Sequence, residues 1–145
     1  MKEIIARSEC PLSYSLDLFG DRWTLLVLRD MIFFGKCSYS DFLNSYEKIA
    51  SNILTDRLSA LHANGFVTKH TSPSKKSKFL YTLTDKAIAL IPAITEIILW
   101  GDEHTPFRMP QLLGEMLKKN KHKTLASLAI KLKRERDLLF EQQLS

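Results

Sequence analysis

The residues of this chain that could do chemistry are polar and cationic side chains gathered between Ile49 and Thr84. Ser51, Asn52 and Thr55 follow one another within about one helical turn, so a helix would carry them along one outward side. An Asn side chain can form two hydrogen bonds with an adenine edge, and Ser or Thr can reach a base edge or a phosphate. These residue types at this spacing predict contacts with the major groove of double-stranded DNA.

A cluster of cations follows these polar residues. No acidic residue occurs between Asp56 and Asp85, although the interval contains several bases. Lysines held at one place can neutralise phosphates, and each neutralised phosphate makes binding more sensitive to salt. The predicted contacts to the DNA backbone are Lys48, Lys75, Lys76 and Lys78.

Arg57 admits two interpretations. It follows Thr55 closely enough to join the recognition set by contacting a phosphate, but it also lies near the apolar side of the same helix. There it could form a structural salt bridge or pack its stem. Asp56 is equally open, since it could accept a hydrogen bond from a cytosine amine or pair with Arg57.

Two helices and a hairpin are predicted to position these side chains. Ser38 and Asp41 have the spacing of a capping box, which opens a short helix that buries Tyr39, Phe42 and Leu43. After a turn, a helix runs from about residue 50 to 63, with Leu54, Leu58 and Leu61 facing inward, until Asn64 and Gly65 end it. Strands are predicted at 66–69 and 79–83, joined by a polar tip at 72–77.

Helices are predicted for most of the remaining chain. Pro11 and Asp21 start two of them, which end at Gly20 and Gly35. A long helix should run from about residue 84 to 104, with a bend near residue 88 or 89 caused by Pro92. Two amphipathic segments follow, at 111–119 and 124–143. The fold class is therefore mostly α with a small β-hairpin.

Composition limits the class of protein. The chain has 145 residues, 45% of them hydrophobic, and 21 basic against 16 acidic residues give a net charge of +5. It contains no apolar run near the roughly 18 residues that a membrane helix needs. The first ten residues have no apolar signal region, and two cysteines without an export signal favour the cytoplasm. The four histidines lack metal-ligand spacing, and we expect no cofactor and no catalytic motif.

A series of short motifs along the chain resembles the HxlR-type helix-turn-helix regulators. The motifs are Cys10-Pro11, Gly20-x-x-Trp23-Thr24-Leu25-Leu26, Leu28-Arg29-Asp30, Gly35, Ser51-x-x-Leu54-x-x-Arg57-Leu58-x-x-Leu61, Asn64-Gly65-Phe66-Val67, Tyr81-x-Leu83-Thr84 and Trp100-Gly101.

The resemblance implies a winged helix-turn-helix domain over residues 8–104, with the first helix and the long C-terminal dimerisation helices forming the subunit contact. Residues 105–145 are predicted to be a helical extension, to which the resemblance does not apply. The resemblance also implies a cytoplasmic transcriptional regulator that binds a near-palindromic operator as a homodimer. Two positions depart from the family pattern. Ser38 stands where a basic residue is usual, so one phosphate contact is missing, and Ala87 replaces a glycine.

Cys10 stands where some members of that family carry a redox-sensing cysteine. A thiol at a helix N-terminus is stabilised as thiolate by the unpaired N–H groups, which favours reaction with oxidants or electrophiles. The alternative is a small residue buried in an interface. Cys37 is either a second thiol or a residue that fills space. An oxidant or small-molecule effector is thus a candidate partner, alongside double-stranded DNA and a second copy of the chain.

Two other classes of function compete with this one. The first is an enzyme, which the sequence does not favour because it has no phosphate loop, no nucleophile–base pair and no carboxylate pair at a useful spacing. The second is a winged-helix module that binds a partner other than an operator. A winged helix can bind protein or RNA without an operator, but lysines without a nearby acid argue against a purely protein-binding wing.

The aromatic residues predict a core and a dimer interface, or else a pocket for an apolar effector. The basic block at 118–136, with Glu135 as its acid, is interpreted as a solvated face.

Overall fold

The computed structural model describes residues 4–144, and it forms two compact units that meet in the chain between Thr84 and Asp85. The first unit contains α1 (Pro11–Phe19), α2 (Thr24–Phe34), α3 (Tyr39–Leu43), α4 (Ser51–Ala63), β1 (Val67–Thr71) and β2 (Phe79–Leu83). The second contains α5 (Asp85–Ile88), α6 (Ile91–His104) and α7 (Gln111–Leu144). The sequence prediction of a mostly helical chain with one antiparallel hairpin is confirmed.

Helices α1 and α2 begin as the sequence predicts. Pro11 occupies the first turn of α1, where its missing N–H would have had no partner in the helix. The Asp21 carboxylate accepts hydrogen bonds from the backbone N–H groups of Trp23 (2.9 Å) and Thr24 (3.0 Å), so it caps α2 from outside the helix. Helix α2 supplies much of the core of this unit, whereas α1 has no buried residue.

The end of α4 explains a small error in the predicted strand. Phe66 N–H donates to the Leu61 carbonyl (2.9 Å) and Gly65 N–H donates to the His62 carbonyl (3.2 Å). With Gly65 at φ 78°, this is the Schellman arrangement that ends a helix with a left-handed glycine. Phe66 therefore belongs to the helix end, and β1 starts one residue later than predicted.

The hairpin pairs Val67 with Leu83 and Thr71 with Phe79 in antiparallel register. β1 extends two residues beyond the prediction because His70 and Thr71 continue the ladder. His70 is polar yet buried, and its ring nitrogen Nε2 lies 2.7 Å from the Thr82 hydroxyl. Composition alone did not mark such a residue as part of a strand.

The prediction of one long helix after Thr84 is wrong, because this segment forms two separate helices, α5 and α6. Leu90 N–H bonds to the Ala87 carbonyl (3.0 Å) in a tight turn, and a new helix begins at Ile91. Pro92 thus falls in the first turn of α6, where a helix does not need the N–H that proline lacks. Proline begins a helix here, and the bend predicted near residues 88–89 is a complete interruption.

Helix α7 is divided by Asn120, whose φ of −161° and ψ of 90° are not helical. This agrees with the prediction of two amphipathic segments. Two ion pairs connect α7 to the other helices of its unit, Lys121 with Glu96 (2.6 Å) and Arg136 with Asp85 (2.7 Å). The other cations of the basic block are exposed, as a solvated face requires.

No helix within residues 4–144 combines the length and the apolarity needed to cross a membrane. The prediction about the N-terminal ten residues includes residues 1–3, which lie outside the described part of the chain.

Candidate nucleic-acid interface

The helix-turn-helix starts from the capping box that the sequence predicts. Ser38 Oγ accepts from Asp41 N–H (3.3 Å), and the Asp41 carboxylate accepts in return from Ser38 N–H (3.2 Å). Burial raises the pKa of Asp41, but its hydrogen bonds with Ser38 and Cys37 hold that pKa below its usual value overall. The carboxylate is therefore stably ionised, and it fixes the start of α3.

A buried carboxylate holds the turn between α3 and α4. Asp30, on α2, is only 3% exposed and accepts a hydrogen bond from the Ser45 hydroxyl in that turn. Arg29 contacts Asp30 (2.8 Å) and also binds the Glu47 carboxylate with two hydrogen bonds of 2.8 and 2.7 Å. Lys36 lies 3.8 Å from Asp30. We call these five residues the Asp30 cluster; it connects α2 to the turn that precedes α4.

Helix α4 presents the predicted polar side chains at its exposed start. Ser51, Asn52 and Thr55 are all exposed, while Leu54 and Leu58 on the opposite side are buried. The residue before the helix is Ala50, whose side chain cannot cap the first backbone N–H groups. These N–H groups can therefore hydrogen-bond to an anion such as a phosphate.

Arg57 is held by carboxylates. Its guanidinium forms an ion pair with Asp56 and lies 3.4 Å from Asp21, the residue that caps α2. The hydrogen bond to Asp56 is the main reason why the pKa of Arg57 is raised. Of the two roles that the sequence left open, this geometry favours the structural one, in which Arg57 connects α4 to the start of α2. Of the two roles open to Asp56, the geometry likewise favours pairing with Arg57.

The wing carries the predicted lysines on its tip. Lys75, Lys76 and Lys78 are exposed, and hydrogen bonds from Ser72 N–H to the Lys78 carbonyl (2.7 Å) and from Lys78 N–H to the Lys75 carbonyl (3.0 Å) close the tip. Lys69 belongs to the strand below, with its ammonium 4.0 Å from the centre of the Phe79 ring. The sequence thus placed the three cationic tip residues correctly in the hairpin.

The start of α3 is joined to the wing. Tyr81 N–H in β2 donates to the Cys37 carbonyl (2.8 Å), and Ser38 forms an isolated antiparallel bridge with Leu80. Residues 37–38 therefore lie alongside β2, on the edge that β1 leaves open. This pairing fixes α3 relative to the hairpin.

Lys48, the remaining predicted backbone contact, precedes α4 in a left-handed conformation with φ 54°. Its side chain is exposed. A non-glycine residue rarely adopts this conformation, so the surrounding turn must impose it.

Sequence reasoning missed Tyr39. We predicted that α3 would bury it, but Tyr39 is only half-buried, and its hydroxyl donates to the Ser51 carbonyl of α4 (3.0 Å). Phe42, which we also predicted to be buried, is 1% exposed, whereas Leu43 is only half-buried. The capping box could have warned against burial of Tyr39, since the first residue of a capped helix lies at the helix terminus and need not face the core.

The two cysteines differ in environment. Cys10 is exposed at the N-cap of α1, and Cys37 is half-buried; both are free thiols. Burial raises the pKa of Cys37, and the Asp41 charge raises it further, while Lys78 opposes them. Among the described residues, no group of three or more His, Cys, Asp or Glu side chains could hold a metal ion.

Comparison with known proteins identifies the arrangement. A sequence profile of the HxlR-like helix-turn-helix family matches residues 18–109. The chain belongs to this family. The resemblance inferred from the sequence motifs is thereby confirmed, and the chain is a transcriptional regulator of the helix-turn-helix type.

Individual relatives of this HxlR-like regulator support the same family assignment. YodB, an HTH-type transcriptional regulator of Bacillus subtilis, is 28% identical over 95 residues, which are 65% of this chain and 84% of YodB. The structure of PA1607 is 34% identical with a TM-score of 0.62, and the match covers 72% of this chain and 70% of that one. The oxidized form of the redox regulator HypR is 26% identical with a TM-score of 0.60, over 68% of this chain and 100% of HypR.

Proposed function

We infer that this HxlR-like regulator binds double-stranded DNA sequence-specifically, as a homodimer on a near-palindromic operator. The observation that carries this inference is the exposed, polar start of α4 in the same compact unit as the lysine-tipped wing. Ser51, Asn52 and Thr55 would enter the major groove. Lys48 and the wing lysines Lys75, Lys76 and Lys78 would contact the backbone.

A two-fold operator follows from a two-fold dimer. Two recognition helices related by symmetry would enter successive major grooves about one helical turn apart. In this proposal residues 8–104 form the DNA-binding and dimerising domain, and residues 105–145 add a helical extension. Arg57 belongs to the interface by position, and its ion pairs give it the task of holding α4 against α2.

Thiol chemistry at Cys10 is the proposed control. Its exposure makes it accessible to an oxidant or an electrophile, and the structural relative HypR is a redox regulator. Modification at the start of α1 would alter the dimer and therefore the spacing of the two recognition helices.

The test is a pull-down of genomic DNA fragments with the purified protein, run in reductant and again after diamide. Enrichment of a two-fold-symmetric site in reductant only, and in both conditions for Cys10→Ser, would support the whole proposal. Equal enrichment in both conditions with the wild type would keep the operator and reject thiol control. If no duplex were enriched in either condition, an RNA- or protein-binding winged helix would be the better account.

A further inference from the structure

Tyr39 places a phenol hydroxyl beside the proposed DNA-binding side of α4. It is the first residue of α3, yet its hydroxyl donates to the carbonyl of Ser51, the first residue of α4 (3.0 Å). The Thr55 hydroxyl lies 3.4 Å from the phenol oxygen and donates to the same carbonyl (3.0 Å). The phenol, the Thr55 hydroxyl and the Ser51 carbonyl thus meet at the exposed start of α4.

Two hydroxyl donors share one acceptor in this arrangement. A hydroxyl hydrogen rotates to suit its partner, so Tyr39 can turn its O–H away from the Ser51 carbonyl, which keeps the bond from Thr55. A hydrogen bond to an ionised phosphate oxygen is stronger than one to a neutral carbonyl. An approaching phosphate would therefore compete well for the phenol hydrogen.

The neighbouring residue cannot make this contact. Ser38 is only 2% exposed, and its hydroxyl accepts a hydrogen bond from Asp41 N–H. The Tyr39 side chain does reach the start of α4, through its hydrogen bond to the Ser51 carbonyl.

We propose that the Tyr39 hydroxyl donates a hydrogen bond to a DNA phosphate beside the start of α4. This inference rests on the proposed function. A phosphate fits better than a base edge, because the ring is half-buried and its hydroxyl is held at the backbone of α4. Tyr side chains are among those that commonly contact phosphates, which fix the register of a protein on the duplex.

The test compares Tyr39→Phe with the wild type on the operator duplex across a range of salt concentrations. We expect affinity to fall about tenfold for each protomer at every salt concentration, as for the removal of one hydrogen bond to a charged group. The slope of log affinity against log salt should stay unchanged, because a neutral phenol does not replace a counterion. Tyr14→Phe is the control: Tyr14 is an exposed tyrosine on α1, outside the helix-turn-helix.

Single methylphosphonates in the duplex separate a contact from a structural effect. Neutralising the contacted phosphate should weaken the wild type and Tyr14→Phe but cost Tyr39→Phe much less. If Tyr39→Phe bound more weakly yet kept the full wild-type pattern of sensitive phosphates, Tyr39 would act only through the position of α4 and the proposal would be overturned. An altered base preference with that same pattern would point to a base contact and would also overturn it.

Two further outcomes are distinct. Unchanged affinity of Tyr39→Phe, with a wild type that binds the operator, would reject this contact and leave the proposed function standing. A wild type with no salt-sensitive duplex binding would reject both.

Discussion

Asn52 and Cys37 show how exposure decides what a single side chain can do. Asn52 is exposed on the outer side of α4, where its amide can donate and accept at a base edge. Cys37 is half-buried just before α3, and its carbonyl accepts a hydrogen bond from Tyr81 N–H in the hairpin. The first residue suits recognition of a partner, and the second suits packing.

Asn52→Ala should relax sequence preference. Removing a pair of hydrogen bonds to adenine should remove about 1–3 kcal/mol of discrimination at one base pair of each half-site. Binding to unrelated duplexes should change little, since the phosphate contacts remain. Competition binding with operators substituted one base pair at a time would measure this. An even decrease of affinity on all duplexes would argue against base recognition by Asn52.

Thiol labelling should reveal the raised pKa of Cys37. Since burial and Asp41 raise the pKa of Cys37, its alkylation should still increase with pH above the ordinary thiol value of about 8.5. Below that pH the thiolate, which is the reactive form, is scarce at Cys37. Peptide mass spectrometry after iodoacetamide at a series of pH values would show it, with Cys10→Ser to isolate Cys37. A Cys37 profile that levels off below pH 8.5 would contradict the expected shift.

At the scale of elements, hydrogen bonds between elements hold the helix-turn-helix and the wing in place. The Asp30 cluster joins α2 to the turn before α4, and the Tyr81–Cys37 backbone bond joins β2 to the segment before α3. Contacts of this kind depend on residues far apart in sequence. They orient α4 and the hairpin before any partner arrives.

Replacing both wing lysines should weaken binding to all DNA. Lys75→Ala with Lys76→Ala removes two cations from the tip, so the salt slope should flatten by roughly two for each protomer. Fluorescence anisotropy against salt, on operator and on random duplex, would measure the change. The matched control is Lys118→Ala with Lys119→Ala, which removes two exposed lysines from α7. An unchanged slope in the wing variant would mean that the wing does not touch DNA.

The Asp30 cluster should contribute to stability. Asp30→Ala leaves Arg29 and Lys36 without their buried partner, and we expect the free energy of unfolding to fall by roughly 3 kcal/mol. Urea unfolding followed by circular dichroism would test this. Asp137→Ala removes one exposed partner of Arg136, which keeps its ion pair with Asp85, and should cost less than about 1 kcal/mol. Equal effects of the two substitutions would show that burial of Asp30 adds nothing.

At the scale of the whole molecule, α1 has an apolar surface that a single chain leaves open. Leu12 is 67% exposed and Leu16 is 49% exposed, one helical turn apart. Such a surface on a helix with no buried residue is what the proposed homodimer would cover.

Charges on that surface should separate the protomers. Leu12→Glu with Leu16→Glu should be monomeric at concentrations where the wild type is a dimer, as measured by sedimentation equilibrium. Its operator affinity should fall by roughly 10²–10⁴, because the second half-site no longer binds within one complex. Ser59→Glu with Ala63→Glu adds the same charge on the exposed end of α4 and should sediment as the wild type does. A dimeric Leu12, Leu16 variant would place the interface elsewhere.

The sequence by itself determined the local structure. The capping box at Ser38, the leucine spacing of α4 and the glycine after it act over a few residues, so their prediction needed no tertiary information. The same holds for the exposed polar start of α4 and for the lysines at the hairpin tip. The family followed from such local motifs, and its match to residues 18–109 confirmed it.

Only the tertiary structure decided what depended on distant partners. The pairing of Arg57 with Asp21, the place of the Tyr39 hydroxyl on Ser51 and the extension of β1 through His70 each join residues that are 12 or more positions apart. The break at Leu90 was misjudged for a related reason. Proline fits either a kink or a helix start, and the neighbouring backbone hydrogen bonds determine which of the two forms.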